Sequence, residues 1–133
     1  MPDQTLPDPA TLTPEQIAAA LRAGIASHLD EAAILLTMLR GQLYTRPDIQ
    51  RYMNWLKCSP TGELAARMLW TRLADDTHDG TIPLSRGERQ VIALAASIAA
   101  GTPVSLNWAL TGLDLVTATT VLHAVGLAMG RRP

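Results

Sequence analysis

The sequence predicts an all-α fold, a compact bundle of six or seven helices forming a single domain. The 133 residues include 20 Ala and 20 Leu, but only 5 Val, 7 Ile and no Phe. Ala and Leu are strong helix formers, whereas β-branched and aromatic residues favour strands. Apolar residues make up 47% of the chain, which is enough to build a hydrophobic core. Helix-start signals also recur along the sequence.

The ends of the chain are predicted to be tails around one helical domain. Residues 1–12 are rich in Pro and Asp and have no apolar periodicity, so we predict a disordered, flexible N-terminal tail. The helical domain is then expected to cover residues 13–130. Residues 131–133 form a short C-terminal tail in this prediction.

The first helices are predicted from capping residues. Thr13 followed by Pro14 and Gln16 is typical of a capped helix start. Asp30 either caps a second helix or marks a bend in one long helix. A Leu-rich apolar stripe follows it and is expected to end near Gly41.

Two more helices are predicted in the middle of the chain. Pro47 opens a short one that is expected to carry Trp55. The segment 59–63 combines Ser, Pro, Thr, Gly and Glu and indicates the start of another, whose buried face includes Leu73. That helix is expected to stop before the polar stretch 75–80.

The C-terminal helices have the clearest boundaries. A capping box begins at Ser85, and the helix it starts is expected to end at Gly101. Ser105 begins a brief helix. Asp114 is expected to cap the last helix, which should end at Gly130.

An unusual lack of charge marks this C-terminal region. From Gln90 to Gly130, Asp114 is the only Asp, Glu, Lys or Arg. An ordinary surface helix has a charged face opposite its apolar one. The two long helices of this region, the one that ends at Gly101 and the one that Asp114 caps, should therefore be internal, covered by a partner, or both. We predict self-association as a homodimer through this 90–130 hairpin. The candidate interface residues are Trp108, Leu110, Leu113, Val121, Leu122 and Val125.

Composition and charge disfavour several classes of function and favour protein–protein interaction. The net charge of −1 disfavours a nucleic-acid partner, because nucleic-acid-binding surfaces are basic. The single cysteine, Cys58, excludes an intramolecular disulfide or a cysteine zinc cluster and fits a cytoplasmic location. The unbroken apolar runs are too short to cross a membrane. We therefore predict a non-enzymatic adaptor or regulator with no cofactor, metal site or catalytic residue.

Two alternative functions remain open. The segment 96–110 is similar to a helix-turn-helix, which would make the protein a DNA-associated regulator with Asn107 as a base-reading side chain. The stretch 75–80 resembles the start of an EF-hand calcium loop, although Arg86 stands where the last acidic ligand is required. A metal site or an enzyme built around His78 is therefore the second alternative.

A longer pattern covers residues 84–130. It consists of Leu84-Ser85-Arg86-Gly87-Glu88, Leu94-Ala95, Gly101, Val104, Ala109-Leu110 and Gly112-Leu113-Asp114. The pattern resembles one found in small uncharacterised helical proteins of high-GC Gram-positive bacteria. This resemblance implies a bacterial, cytoplasmic protein and carries no activity with it.

Overall fold

Seven α-helices, one β-hairpin and two short 3₁₀ helices (Pro9–Thr11 and Gly41–Thr45) form the part of the chain that the computed structural model describes, which is residues 5–39, 41–58 and 61–131. The helices are α1 (Pro14–Ala23), α2 (His28–Met38), α3 (Pro47–Gln50), α4 (Trp70–His78), α5 (Arg86–Ala100), α6 (Leu106–Leu110) and α7 (Leu115–Ala128). The strands are β1 (Met53–Cys58) and β2 (Glu63–Met68). The predicted tails extend beyond the described residues at 1–4 and 132–133.

The prediction of an all-α fold is wrong, because β1 and β2 pair as an antiparallel ribbon. Met53 lies opposite Met68, and Cys58 lies opposite Glu63. The first of the two predicted middle helices ends at Gln50 and does not include Trp55, which lies on β1. The second begins only at Trp70. The β2 sequence, Glu-Leu-Ala-Ala-Arg-Met, consists of helix formers, but helix propensity is a weak preference that strand pairing and burial readily override.

The fourth helix also differs from its prediction. It continues through the polar stretch and ends at His78 rather than before Asp75. Thr77 is buried, and its hydroxyl donates to the Leu73 carbonyl one turn earlier. The stretch 75–80 is therefore mostly the last turn of a helix.

Most predicted helix starts are confirmed by local hydrogen bonds. Thr13 and Ser85 each form a reciprocal capping box with the residue three positions later, and the Asp114 side chain caps α7. The cap of α2 is Ser27 rather than Asp30. The Asp30 carboxylate instead accepts hydrogen bonds from the Ala26 N–H and the Arg67 side chain.

The long helices pack in the order α7, α2, α5, α4. Helix α2 contacts both α5 and α7, and α5 contacts α4 on its other side. Helix α1 packs against β2. Five apolar residues of α5 are buried, Val91, Ile92, Leu94, Ala95 and Ala96, which places this helix inside the fold.

The start of the described chain packs against the core without a long helix. Pro9–Thr11 form a 3₁₀ turn that the Asp8 side chain caps. Leu12 is half-buried against the core, and the Gln50 amide donates to the Pro9 carbonyl at 3.4 Å. The flexibility assigned to residues 1–12 stays a prediction.

Candidate functional site

Helix α7 lies at the edge of the fold and has an apolar surface on both sides. Its inner face is buried and consists of Thr117, Val121, Ala124 and Leu127. On the opposite side Leu115 is 82% exposed, Leu122 is 76% exposed and Met129, just after the helix, is 69% exposed. We call Leu115, Leu122, Val125 and Met129 the outer face of α7.

The most exposed of these side chains form one row along the helix. Leu115, Leu122 and Met129 are spaced by seven residues, which is close to two helical turns. With Ala118 and Val125 between them, the row repeats at alternating intervals of three and four residues, which is the spacing of the apolar seam in coiled coils. At Gly126 an added Cβ would meet no atom within 4 Å, which leaves room for a side chain from a facing helix.

The outer face carries no formal charge. Helix α7 contains no Asp, Glu, Lys or Arg, and His123 is its only titratable residue. Asp114 caps its first turn, and Arg131 follows its end. An apolar surface without charged residues is typical of a contact with another protein.

The six residues predicted to form an interface do not lie on one surface. Leu122 and Val125 are exposed on the outer face of α7, whereas Val121 is buried on the inner face. Leu110 is exposed on α6, and Leu113 is partly buried against the core. The sixth, Trp108, is half-buried beside the Arg89 guanidinium.

Sequence reasoning missed two members of the outer face, Leu115 and Met129. A signal for both was present, because each lies seven residues from Leu122. The predicted 90–130 hairpin is also divided, since α2 contacts both α5 and α7. Internal burial therefore explains why the second half of α5 carries no charged residues, whereas one side of α7 is exposed.

The segment 96–110 is held in place by a buried side chain. The Gln90 amide donates to the carbonyl oxygens of Trp108 at 2.9 Å and Thr111 at 2.8 Å. Helix α6 has only five residues, and Asn107 is exposed on it. The DNA-binding alternative stays a prediction.

The segment 75–80 does not form an EF-hand loop, because Asp75 and His78 belong to α4. Within residues 5–39, 41–58 and 61–131, no group of three His, Cys, Asp or Glu side chains could hold a metal ion. Asp75, His78 and Asp79 do line a common cavity with Arg89.

The shifted pKa values of the described residues have structural causes away from α7. The hydrogen bond to Arg46 lowers the pKa of Asp48 and correspondingly raises that of Arg46. Burial raises the pKa of Tyr44, although its hydrogen bond with Thr37 opposes the shift. The hydrogen bond to Asp76, followed by burial, raises the pKa of Tyr52.

No family model, curated protein or solved structure matches the chain. The resemblance of residues 84–130 to small uncharacterised helical proteins of high-GC Gram-positive bacteria therefore stays a prediction. Among the described helices, none combines the length and apolarity needed to cross a bilayer.

Proposed function

We propose that the protein is a non-enzymatic interaction module that forms a homodimer through the outer face of α7. The observation that carries the proposal is the exposed row of Leu115, Leu122 and Met129 on a helix without charged residues. As an adaptor or regulator, the dimer would act by binding. We place it in the cytoplasm as part of the same proposal.

Burial of the outer face provides the driving force. Fully burying a Leu or Met side chain contributes about 1.5–3 kcal/mol. Association costs about 4–15 kcal/mol in lost translational and rotational freedom. Three such side chains from each copy together contribute about 9–18 kcal/mol, which exceeds that cost over most of its range, so we expect a dimer of moderate, micromolar affinity rather than a very tight one.

A second copy of this chain fits the face better than a charged partner. When α7 faces itself in the antiparallel direction with Leu122 at the two-fold axis, Leu115 lies opposite Met129 of the other copy. Apolar side chains then meet apolar side chains along the whole contact. No pair of like charges is buried between the helices, because α7 carries none.

Charge at the two ends favours the antiparallel direction. Asp114 precedes α7, and Arg131 follows it. In an antiparallel pair these opposite charges approach each other at both ends, whereas a parallel pair would bring like charges together. The helix dipoles are also aligned favourably when the helices are antiparallel.

The oligomeric state tests the proposal directly. Sedimentation velocity over a micromolar concentration series should show a monomer–dimer equilibrium for the full chain. Leu122→Glu places two carboxylates at the proposed axis and should leave a monomer near 14 kDa. Leu56→Glu is the matched control, because Leu56 is an exposed apolar residue on β1.

The control distinguishes a specific contact through α7 from nonspecific hydrophobic association. Leu56→Glu is expected to dimerise like the unmodified protein. A monomer at every concentration for the unmodified chain contradicts the proposal. Equal loss of dimer in both variants also contradicts it, because the contact would then not depend on α7.

A further inference from the structure

A cavity of about 700 Å³ lies between α4, α5 and the segment that leads into α6. Asp75 and His78 line it from α4 and Asp79 from just after α4, Arg89 lines it from α5, and Trp108 lines it from α6. Its volume falls within the range of small-molecule binding sites, which is about 300–1,000 Å³. The cavity is separate from the outer face of α7 and uses none of its residues.

Arg89 is the side chain that most strongly suggests a ligand. It is the only Arg or Lys among the residues that line the cavity, and because its Nε is closed off from solvent, a ligand would bind the other two guanidinium nitrogens. The guanidinium carbon lies 6.0 Å from the centre of the Trp108 ring, where the ring face attracts a cation. A carboxylate matches the forked geometry of a guanidinium and forms charge-assisted hydrogen bonds with it.

The rest of the lining specifies the other parts of the ligand. Ala93, Pro103 and Val104 add apolar wall beside the tryptophan ring, which suits a ligand with an apolar body. Asp75 and Asp79 are exposed carboxylates of the same cavity. They favour a cationic group and oppose a second negative charge on the ligand.

We infer that this cavity binds a small zwitterion with an apolar side chain, of the α-amino acid type. Its carboxylate binds the Arg89 guanidinium, its ammonium group faces Asp75 and Asp79, and its side chain packs against Val104 and Trp108. The carboxylate contact contributes more, because Arg89 is half-buried. The ammonium contact is weaker, because exposed ion pairs are screened by water.

Three probes with the same ring separate these contributions. L-Phenylalanine carries both charges, 3-phenylpropionate lacks the amine and phenethylamine lacks the carboxylate. In amide NMR titrations of the full chain, L-phenylalanine should cause saturable shifts in α4, α5 and residues 102–108. We expect 3-phenylpropionate to bind about two- to fivefold more weakly, and phenethylamine about tenfold more weakly or worse.

Variants assign each contact to its residue. Arg89→Met keeps much of the apolar stem and should reduce L-phenylalanine binding to the level of phenethylamine. Arg22→Met, on the exposed surface of α1, is the matched control and should bind normally. Asp75→Asn combined with Asp79→Asn should remove the preference for L-phenylalanine over 3-phenylpropionate.

A further variant keeps the test valid if Arg89→Met does not fold. Ala93→Leu fills the cavity with Arg89 intact and should weaken L-phenylalanine binding, while amide dispersion reports the fold. The inference is overturned if L-phenylalanine gives no saturable shifts in the three walls, or if phenethylamine binds as tightly. Unchanged binding by a folded Arg89→Met or Ala93→Leu variant overturns it as well.

Discussion

Arg46 and Asp48 form the most directional ion pair of the described chain. The Arg46 Nε donates to Oδ1 at 3.0 Å and the Nη2 donates to Oδ2 at 2.6 Å. The same Nη2 donates to the Pro83 carbonyl at 2.9 Å, which connects the start of α3 to the segment before α5. This hydrogen bonding lowers the pKa of the Asp48 carboxyl, so folding favours its ionised form.

We expect Asp48→Asn to lower the free energy of unfolding by about 0.5–1 kcal/mol at neutral pH, because the pair is partly exposed and screened. The folded pKa of Asp48 lies below its unfolded value of about 3.9. The stabilisation is therefore complete above that value and lost as the pH falls through the folded pKa.

Urea unfolding of both proteins from neutral pH down to pH values below the folded pKa measures this effect. The two free energies should converge at the acidic end. Arg46→Gln serves as a second test: it should show the same pH-dependent loss, together with a constant loss at every pH from the missing hydrogen bond to the Pro83 carbonyl. A difference between Asp48→Asn and the unmodified protein that stays constant over the whole range contradicts the prediction.

Two pairs of residues show which contacts the sequence can predict and which it cannot. Ser85 and Glu88 could be paired from the sequence, because a capping box joins residues three positions apart. Arg89 and Trp108 are 19 positions apart, and their stacking depends on how α6 folds back onto α5. The cavity was therefore not predictable from the sequence, although Asp75 and His78 belong to the stretch that resembles the start of a calcium loop.

At the scale of elements, helix starts were predictable and the hairpin was not. Caps at Thr13, Ser85 and Asp114 are local patterns that survive into the structure. The residues of β2 favour a helix locally, and only pairing with β1 and packing under α1 make the strand favourable. Such long-range contacts leave no periodic signal in the segment itself.

The contact between α1 and β2 depends on a glycine. A Cβ at Gly24 would lie 2.2 Å from the backbone oxygen of Ala66, so a larger residue must push the strand away from the helix. We expect Gly24→Ala to lower the free energy of unfolding by about 1–3 kcal/mol. Urea unfolding followed by circular dichroism measures the change.

Ala19→Gly is the matched control for this contact. Ala19 is exposed on α1, so the reverse change there should cost about 1 kcal/mol or less from helix propensity alone. If Gly24→Ala is as stable as the unmodified protein, β2 does not pack as closely on α1 as the structure indicates.

For the whole molecule, the position of each helix decides what its lack of charge means. Residues 90–130 predict two helices without charged residues. In α7 both faces are apolar, so the sequence does not show which side is buried and which is exposed. The packing order α7, α2, α5, α4 makes α5 internal and leaves α7 with a neighbour on one side. A second copy on the outer face would give α7 a neighbour on both sides.

Dimerisation through α7 makes thermal stability depend on protein concentration, because mass action favours the folded dimer over unfolded chains. We expect Tm to rise by about 2–4 °C for a tenfold increase in concentration above the dissociation constant. Leu122→Glu should show a Tm that does not change with concentration. At high dilution its Tm should match that of the unmodified protein, because Leu122 is 76% exposed in the single chain.

Comparing the Tm values of the two proteins at high dilution distinguishes a loss of association from a loss of folding. If Leu122→Glu melts much lower than the unmodified protein at every concentration, the substitution damages the monomer and Leu122 supports the fold itself. If the unmodified protein melts at one temperature over the whole series, a second copy does not cover the outer face of α7. Differential scanning calorimetry gives both comparisons in one set of measurements. A ligand of the Arg89 cavity would raise Tm at every protein concentration without changing how Tm depends on concentration.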